Sequence, residues 1–217
     1  MTFGGRATFA SDVIPLSATS ERLVTPVNST SSFRHVICVL YRNTVPKGKY
    51  NTLGNMFYRN AVVTKFNELR MFTGIKVLSS MSYMSNLTEI ELPVGGLLET
   101  LGVDCFYYTP LPKTMVFPEG VTTFENHSVS RSTRVETLDL PSTTGSIPGY
   151  FAFVCSSLKR IIIRATTPPS VGSNTLPNIS SSIHFYVPDE ALQSYLNHSS
   201  WGSYSSRIHP ISEYDAD

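Results

Sequence analysis

Charge is scarce in this chain. Only 15% of its 217 residues are Asp, Glu, Lys or Arg, and the formal net charge is +1. A balance that close to neutral gives no basic field to hold a phosphate backbone, so nucleic acid is not an expected partner. The cluster Lys47-Gly48-Lys49 reads as a solvated turn. Cysteine is scarce as well. Cys38, Cys105 and Cys155 are widely spaced, without a CxxC pair or a Cys/His cluster, which argues against a structural zinc site and for buried apolar thiols. Long hydrophobic runs are missing. The strongest, Val36 to Tyr41, is far too short to span a bilayer and reads as a buried strand. There is no GxSxG elbow, no phosphate-binding loop and no GxGxxG between strand and helix. His35, His127, His184, His198 and His209 never fall at metal-ligand spacing. No catalytic residue, cofactor or metal is therefore expected, and the chain is read as a non-enzyme.

What the sequence has is a repeat, which is the first thing to read where one exists. Three segments share a run of alternating apolar residues that ends in proline. They are Leu87-Thr88-Glu89-Ile90-Glu91-Leu92-Pro93, Pro112-Lys113-Thr114-Met115-Val116-Phe117-Pro118 and Val135-Glu136-Thr137-Leu138-Asp139-Leu140-Pro141. A fourth, Leu158 to Ile163, has Arg164 where the proline would fall, and a fifth ends Phe185-Tyr186-Val187-Pro188. The ends at 93, 118, 141, 164 and 188 step by 25, 23, 23 and 24 residues. Each copy also carries an upstream half, such as Ile75, Leu78 and Tyr83, or Val121, Phe124 and Val129. Alternation turns one strand face inward, and the proline ends pairing by removing a donor. One such coil cannot bury its apolar face alone, whereas stacked coils share a core. A β-sandwich would alternate too, but has no reason to repeat its sequence at a fixed period.

The expected fold is thus mainly β, a solenoid of about five coils over residues 64–188. Residues 1–63 precede it as a β element or anchoring arm, and residues 189–217 follow as a short helical cap. The repeat core is assigned to Ile90, Leu92, Met115, Phe117, Leu138, Leu140, Ile161 and Ile163, with the repeat ends stacked in one parallel ladder. Asp189 before Glu190-Ala191-Leu192 looks like a helix start. Leu192, Tyr195, Leu196 and Trp201 should then cover the last coil. Glu91 and Asp139 stand at related strand positions and read as a solvated face. The adjacent Tyr107 and Tyr108 cannot both point inward from a strand. They are the candidate binding surface, unless both pack between coils.

These repeats, with Cys155-Ser156-Ser157-Leu158-Lys159-Arg160-Ile161 and Thr167-Pro168-Pro169 after it, resemble BspA-like leucine-rich repeats. The resemblance extends to Phe66–Ile75 and to the ending from Tyr186 through Trp201 to Ile211, and covers about residues 64–214. The slot that Cys155 fills is taken by Asn86, Thr109 and Ser132 in other copies. Such repeats occur in surface proteins of gut bacteria and in proteins of phages of Bacteroides-type hosts. The resemblance implies a leucine-rich-repeat solenoid and binding through its surface, to other virion or surface subunits or to a host protein or glycan, with homo-oligomers among the options. The opening Met1 to Arg6 lacks the basic-then-apolar pattern of a secretory signal. On that ground the expected setting is a phage virion, as fibre, tail or capsid decoration. The alternative is a bacterial cell-surface adhesin. Residues 1–63 are expected to mediate assembly, the competing reading being a cap over the first coil.

Overall fold

The computed structural model describes residues 52–53, 57–79, 81–172, 175 and 180–215. Successive coils each contribute two short strands. The first coil holds β1 (Thr52–Leu53) and β2 (Lys65–Phe66), the second β3 (Val77–Leu78) and β4 (Glu89–Ile90). The third holds β5 (Thr100–Leu101) and β6 (Thr114–Val116), the fourth β7 (Thr123–Phe124) and β8 (Thr137–Leu140). The fifth holds β9 (Ser146–Ile147) and β10 (Arg160–Ile163), the sixth β11 (Ser170–Val171) and β12 (His184–Val187). A last strand, β13 (Ile208–Pro210), follows the helix α1 (Leu192–Leu196).

Among the described residues all strand pairing is parallel. The first strands of the coils stack in the order β1-β3-β5-β7-β9-β11, and the second strands β6-β8-β10-β12-β13 form another ladder. In the second ladder Met115, Leu138, Ile161, Phe185 and Ile208 share one register column. The eight residues assigned to the repeat core are all buried. Each such side chain contributes roughly 1.5–3 kcal/mol relative to exposure, and the column repeats that gain at every coil.

One continuous ladder through the repeat ends is not what forms. Among the described residues β2 pairs only with β4, and β6 starts afresh. The sequence departs from its period at this point. Four residues separate Leu111 from Met115, against three from Val135 to Leu138, and Pro112 is the extra one. Pro110 and Pro112 also bring two residues without an N–H to the approach of β6. The turn after β4 is longer too, and Gly96 lies so close to the preceding coil that a Cβ would sit 2.9 Å from the Thr73 carbonyl oxygen.

The boundary expected at residue 63 falls inside the first coil. β1 is in register with β3, and Phe57 and Val63 belong to the common core. The arm before it, with the Val36–Tyr41 strand, Cys38 and Lys47-Gly48-Lys49, lies outside the described residues. At the other end Tyr195 and Trp201 are wholly buried, and Leu192 and Leu196 are partly buried and pack against the core. The Tyr195 hydroxyl donates to the Ala165 carbonyl at 2.7 Å and the Trp201 indole N–H to the Pro169 carbonyl at 2.9 Å. Asp189 does not cap α1. It opens a 3-10 turn (Asp189–Ala191), and its carboxylate accepts the Ser212 N–H at 3.1 Å, fastening the residues after β13. Among the described residues no helix is long and apolar enough to cross a membrane.

The slot occupied by Cys155 ties each coil to its neighbour through main-chain groups. The Cys155 thiol donates to the Val129 carbonyl and the Thr109 hydroxyl to the Met81 carbonyl, each in the preceding coil. In the second coil the slot falls to the buried Met84, which follows Tyr83 as Cys155 follows Val154, and not to the exposed Asn86 expected from the sequence. Met84 offers its backbone N–H, which donates to Thr109 Oγ1 at 3.2 Å. Ser132 uses its hydroxyl oxygen to accept the Leu111 N–H. A buried main-chain group needs a partner, and several side chains can supply one, which explains why the slot varies.

Candidate functional site: an aromatic and arginine column

Between its two strands each coil runs through consecutive tight turns. In the third coil Cys105 N–H donates to Gly102, Tyr107 to Asp104 and Thr109 to Phe106, all at 3.1 Å. The turns of successive coils are then stitched together: Asp104, Phe106 and Tyr108 donate to Asn126, Ser128 and Ser130. Such turns need left-handed backbone, and here glycine does not supply it. Arg59, Tyr83, Tyr108, Arg131 and Val154 have φ between 54° and 60°, as do Asp104, His127 and Tyr150. Each costs on the order of 1 kcal/mol or more, and the intercoil hydrogen bonds hold it in place.

The left-handed positions fall into two columns that run along the stack. The first is Arg59, Tyr83, Tyr108, Arg131, Val154. Tyr83 and Tyr108 stack with centroids 5.2 Å apart and planes 12° apart. The Arg59 guanidinium lies 5.4 Å from the Tyr83 centroid and that of Arg131 5.1 Å from Tyr108. Arg131 also donates to the Tyr108 hydroxyl at 2.9 Å. The negative ring faces draw the cations, so the stack is closed at both ends by charge. Tyr107 meets Tyr83, Tyr108 and His127 edge-on at 5.6, 4.9 and 5.6 Å. In the second column His127 stacks on Tyr150 at 5.1 Å. Desolvation and the neighbouring phenols raise the Tyr83 hydroxyl above its ordinary pKa, so it stays a neutral donor.

Tyr107 is half-buried while Tyr108 is 43% exposed. The pair expected from the sequence is thus divided between packing and presentation. Tyr58, His127, Arg131 and Tyr150 join it and were not read as surface candidates from sequence, and Tyr83, read there as an inward position like Val129, is half-buried in the column while Met81 takes the inward place. The signal was present, since Tyr83 to Tyr108 and Tyr108 to Arg131 are one coil apart. Three polar atoms in or next to the columns, His127 Nδ1, Ser128 Oγ and Arg131 Nε, are buried without a hydrogen-bond partner.

A further surface feature is a groove of about 610 Å³ at the ladder break, lined among others by Ile90, Leu92, Met115, Arg70 and Glu91. Glu91 pairs with Arg70 at 2.6 Å on the exposed face, but its counterpart Asp139 is buried and bonded to Arg164, so the two do not form one solvated row. Among the described residues no group of three or more His, Cys, Asp or Glu could hold a metal.

Residues 75–199 match the sequence model of the BspA type leucine rich repeat region, in six copies. No curated protein matches the sequence. The crystal structure of the pneumococcal vaccine antigen PcpA aligns with a TM-score of 0.52 at 22% identity, over 76% of this chain and 38% of that one. A leucine-rich repeat protein from Bacteroides ovatus aligns with a TM-score of 0.45 at 22% identity, over 69% of this chain and 40% of its own. The chain therefore spans less than half of either protein. At such identity the PcpA likeness is one of fold.

Proposed function

Since the chain belongs to the BspA-type leucine-rich-repeat family, we propose that it is a non-catalytic binding protein whose working surface is the column from Arg59 to Arg131. Stacked repeats offer an extended, rigid face for contact with other proteins. One observation carries the assignment. Two tyrosines and two arginines from four successive coils are held on left-handed backbone in a single outward column. Tyr and Arg are the residue types that dominate binding energy at interfaces, and rings locked by stacking lose little entropy on contact.

The setting we propose is the outside of a virion, with the surface of a bacterial cell as the alternative. Mass spectrometry of purified particles against surface-shaved cells separates the two. The binding role itself is tested with fluorescent full-length protein on a panel of intact bacterial and epithelial cells, comparing wild type with Tyr83→Asn/Tyr108→Asn. Asn tolerates left-handed backbone, so the coil should stay folded while the rings are gone. Labelling that falls about tenfold or more, equivalent to about 1.4 kcal/mol, supports the column. Undiminished labelling refutes it.

A further inference from the structure

We infer that the column's ligand is an extended acidic segment of a partner protein, with two carboxylates four residues apart seated on Arg59 and Arg131. The inference rests on the column being the binding surface and adds what that surface recognises.

The first ground is which parts of the rings remain available. Tyr83 and Tyr108 cover one face of each other, and a guanidinium lies over each. A sugar ring stacking on an open aromatic face has no seat here. What the column turns outward is ring edges, phenol hydroxyls and guanidinium N–H groups. Ring edges are electropositive, so every outward group favours an anion.

The second ground is charge pairing. Along the same solenoid six cations have carboxylate partners about one coil away, while Arg134 is exposed and Arg207 is held by the Ser180 carbonyl and two rings. Lys65 pairs with Glu89, Arg70 with Glu91, Lys76 with Glu99, Lys113 and Lys159 with Glu136, and Arg164 with Asp139. Arg59 and Arg131 have rings in that role and, among the described residues, no carboxylate partner. Of the nearby acids, Glu125 is engaged by the Val103 N–H at 2.9 Å. Asp104 stands in the adjacent column and repels an anion that strays from the first.

The third ground is spacing. Three coil steps separate Arg59 from Arg131, and at about 4.8 Å per step that is about 14 Å. An extended chain advances about 3.3 Å per residue, so carboxylates at i and i+4 lie about 13 Å apart and on the same side. Carboxylates at i and i+2 reach only about half that distance. Val154, next in the column and 50% exposed, adds an apolar seat beyond Arg131.

The test uses the full chain and fluorescent ten-residue Ser/Gly peptides read by anisotropy. One carries Glu at i and i+4, one Glu at i and i+2, one Gln at i and i+4, and a heparin fragment serves as a non-peptide polyanion. The inference expects the i, i+4 peptide to bind about tenfold more tightly than the other two, and more weakly as salt rises. Arg59→Asn and Arg131→Asn, both compatible with left-handed backbone, should each remove about tenfold. Equal affinity for the two Glu spacings, preference for heparin over the peptide, or indifference to either arginine variant overturns it. If all peptides fail while Tyr83→Asn/Tyr108→Asn still abolishes cell labelling, the acidic ligand is wrong and the column remains the binding surface. If labelling also survives the tyrosine variant, the binding surface itself is wrong.

Discussion

Arg164 grips both carboxylate oxygens of Asp139, its Nε and a terminal nitrogen each at 2.7 Å. Arg164 stands at the position where other repeat strands end in proline. The exchange works because arginine keeps its N–H, which donates to the Leu140 carbonyl at 3.1 Å, while its side chain reaches back one coil. Asp139 is the inner partner, its side chain 8% exposed against 48% for Arg164. Hydrogen bonding to Asp139 holds the guanidinium pKa above its ordinary value.

The pair is asymmetric, and its variants should be too. Asp139→Ala leaves an arginine that can turn to water, at a cost of about 1.5–3 kcal/mol. Arg164→Met strands a buried carboxylate, at a cost of about 3–5 kcal/mol. Urea unfolding of both variants measures the order. Arg164→Met proving the milder change would mean that the carboxylate is not confined as described.

The cap should behave as part of the core. Trp201 touches Phe185 at 5.4 Å and Tyr195 at 5.5 Å between ring centroids. Trp201→Ala should cost about 3–5 kcal/mol. Tyr195→Phe, which leaves the Ala165 carbonyl without its donor, should cost about 1–3 kcal/mol. Thermal melts read both, and a native tryptophan emission typical of water would contradict the burial.

Much of this end was legible because burial leaves a periodic trace. Pro93, Pro118 and Pro141 mark strand ends at near-constant intervals, and Leu192, Tyr195 and Leu196 follow a helical one. Other features leave no such trace. The ladder break turns on one extra proline, which a period allowed to vary between 23 and 25 absorbs. The column was hidden because glycine is the usual sign of left-handed backbone, and Tyr83, Tyr108 and Arg131 are not glycine. The burial of Asp139 depends on Arg164, a contact between coils that alternation within one strand does not reveal.

The thiols should be inert in the folded protein. Cys105 and Cys155 are free and buried. Burial pushes the Cys105 thiol well above its ordinary pKa and that of Cys155 up to about 11. The thiolate is the reactive form, so a thiol reagent at pH 8 should label neither in the native state and both after denaturation without reductant. Labelling of native Cys105 at a free-thiol rate would show that the third coil opens.

The final expectation concerns pH and the C-terminal ladder. His184 on β12 and His209 on β13 are 25 residues apart, one coil, and the Nδ1 of the first lies 2.8 Å from the Nε2 of the second. That hydrogen bond needs one nitrogen to donate and the other to accept, so it is lost when both rings are protonated. Desolvation, then the His209 ring and the Arg207 guanidinium, hold the His184 pKa below 6.5. Tyr186 packs on His209 from the same strand as His184, and the Glu213 carboxylate lies 3.6 Å from His209 Nδ1. A histidine whose folded pKa is lowered binds fewer protons folded than unfolded just below its ordinary value. Stability is therefore unaffected by this group above pH 6.5, falls as pH drops from 6.5 through the folded pKa, and levels off below it. The fall should be visible as an earlier melt and as faster amide exchange over β12, β13 and the following turn. His184→Asn should flatten the melting temperature between pH 7 and 5 relative to wild type. An unchanged slope in that variant would assign the acid sensitivity to another group.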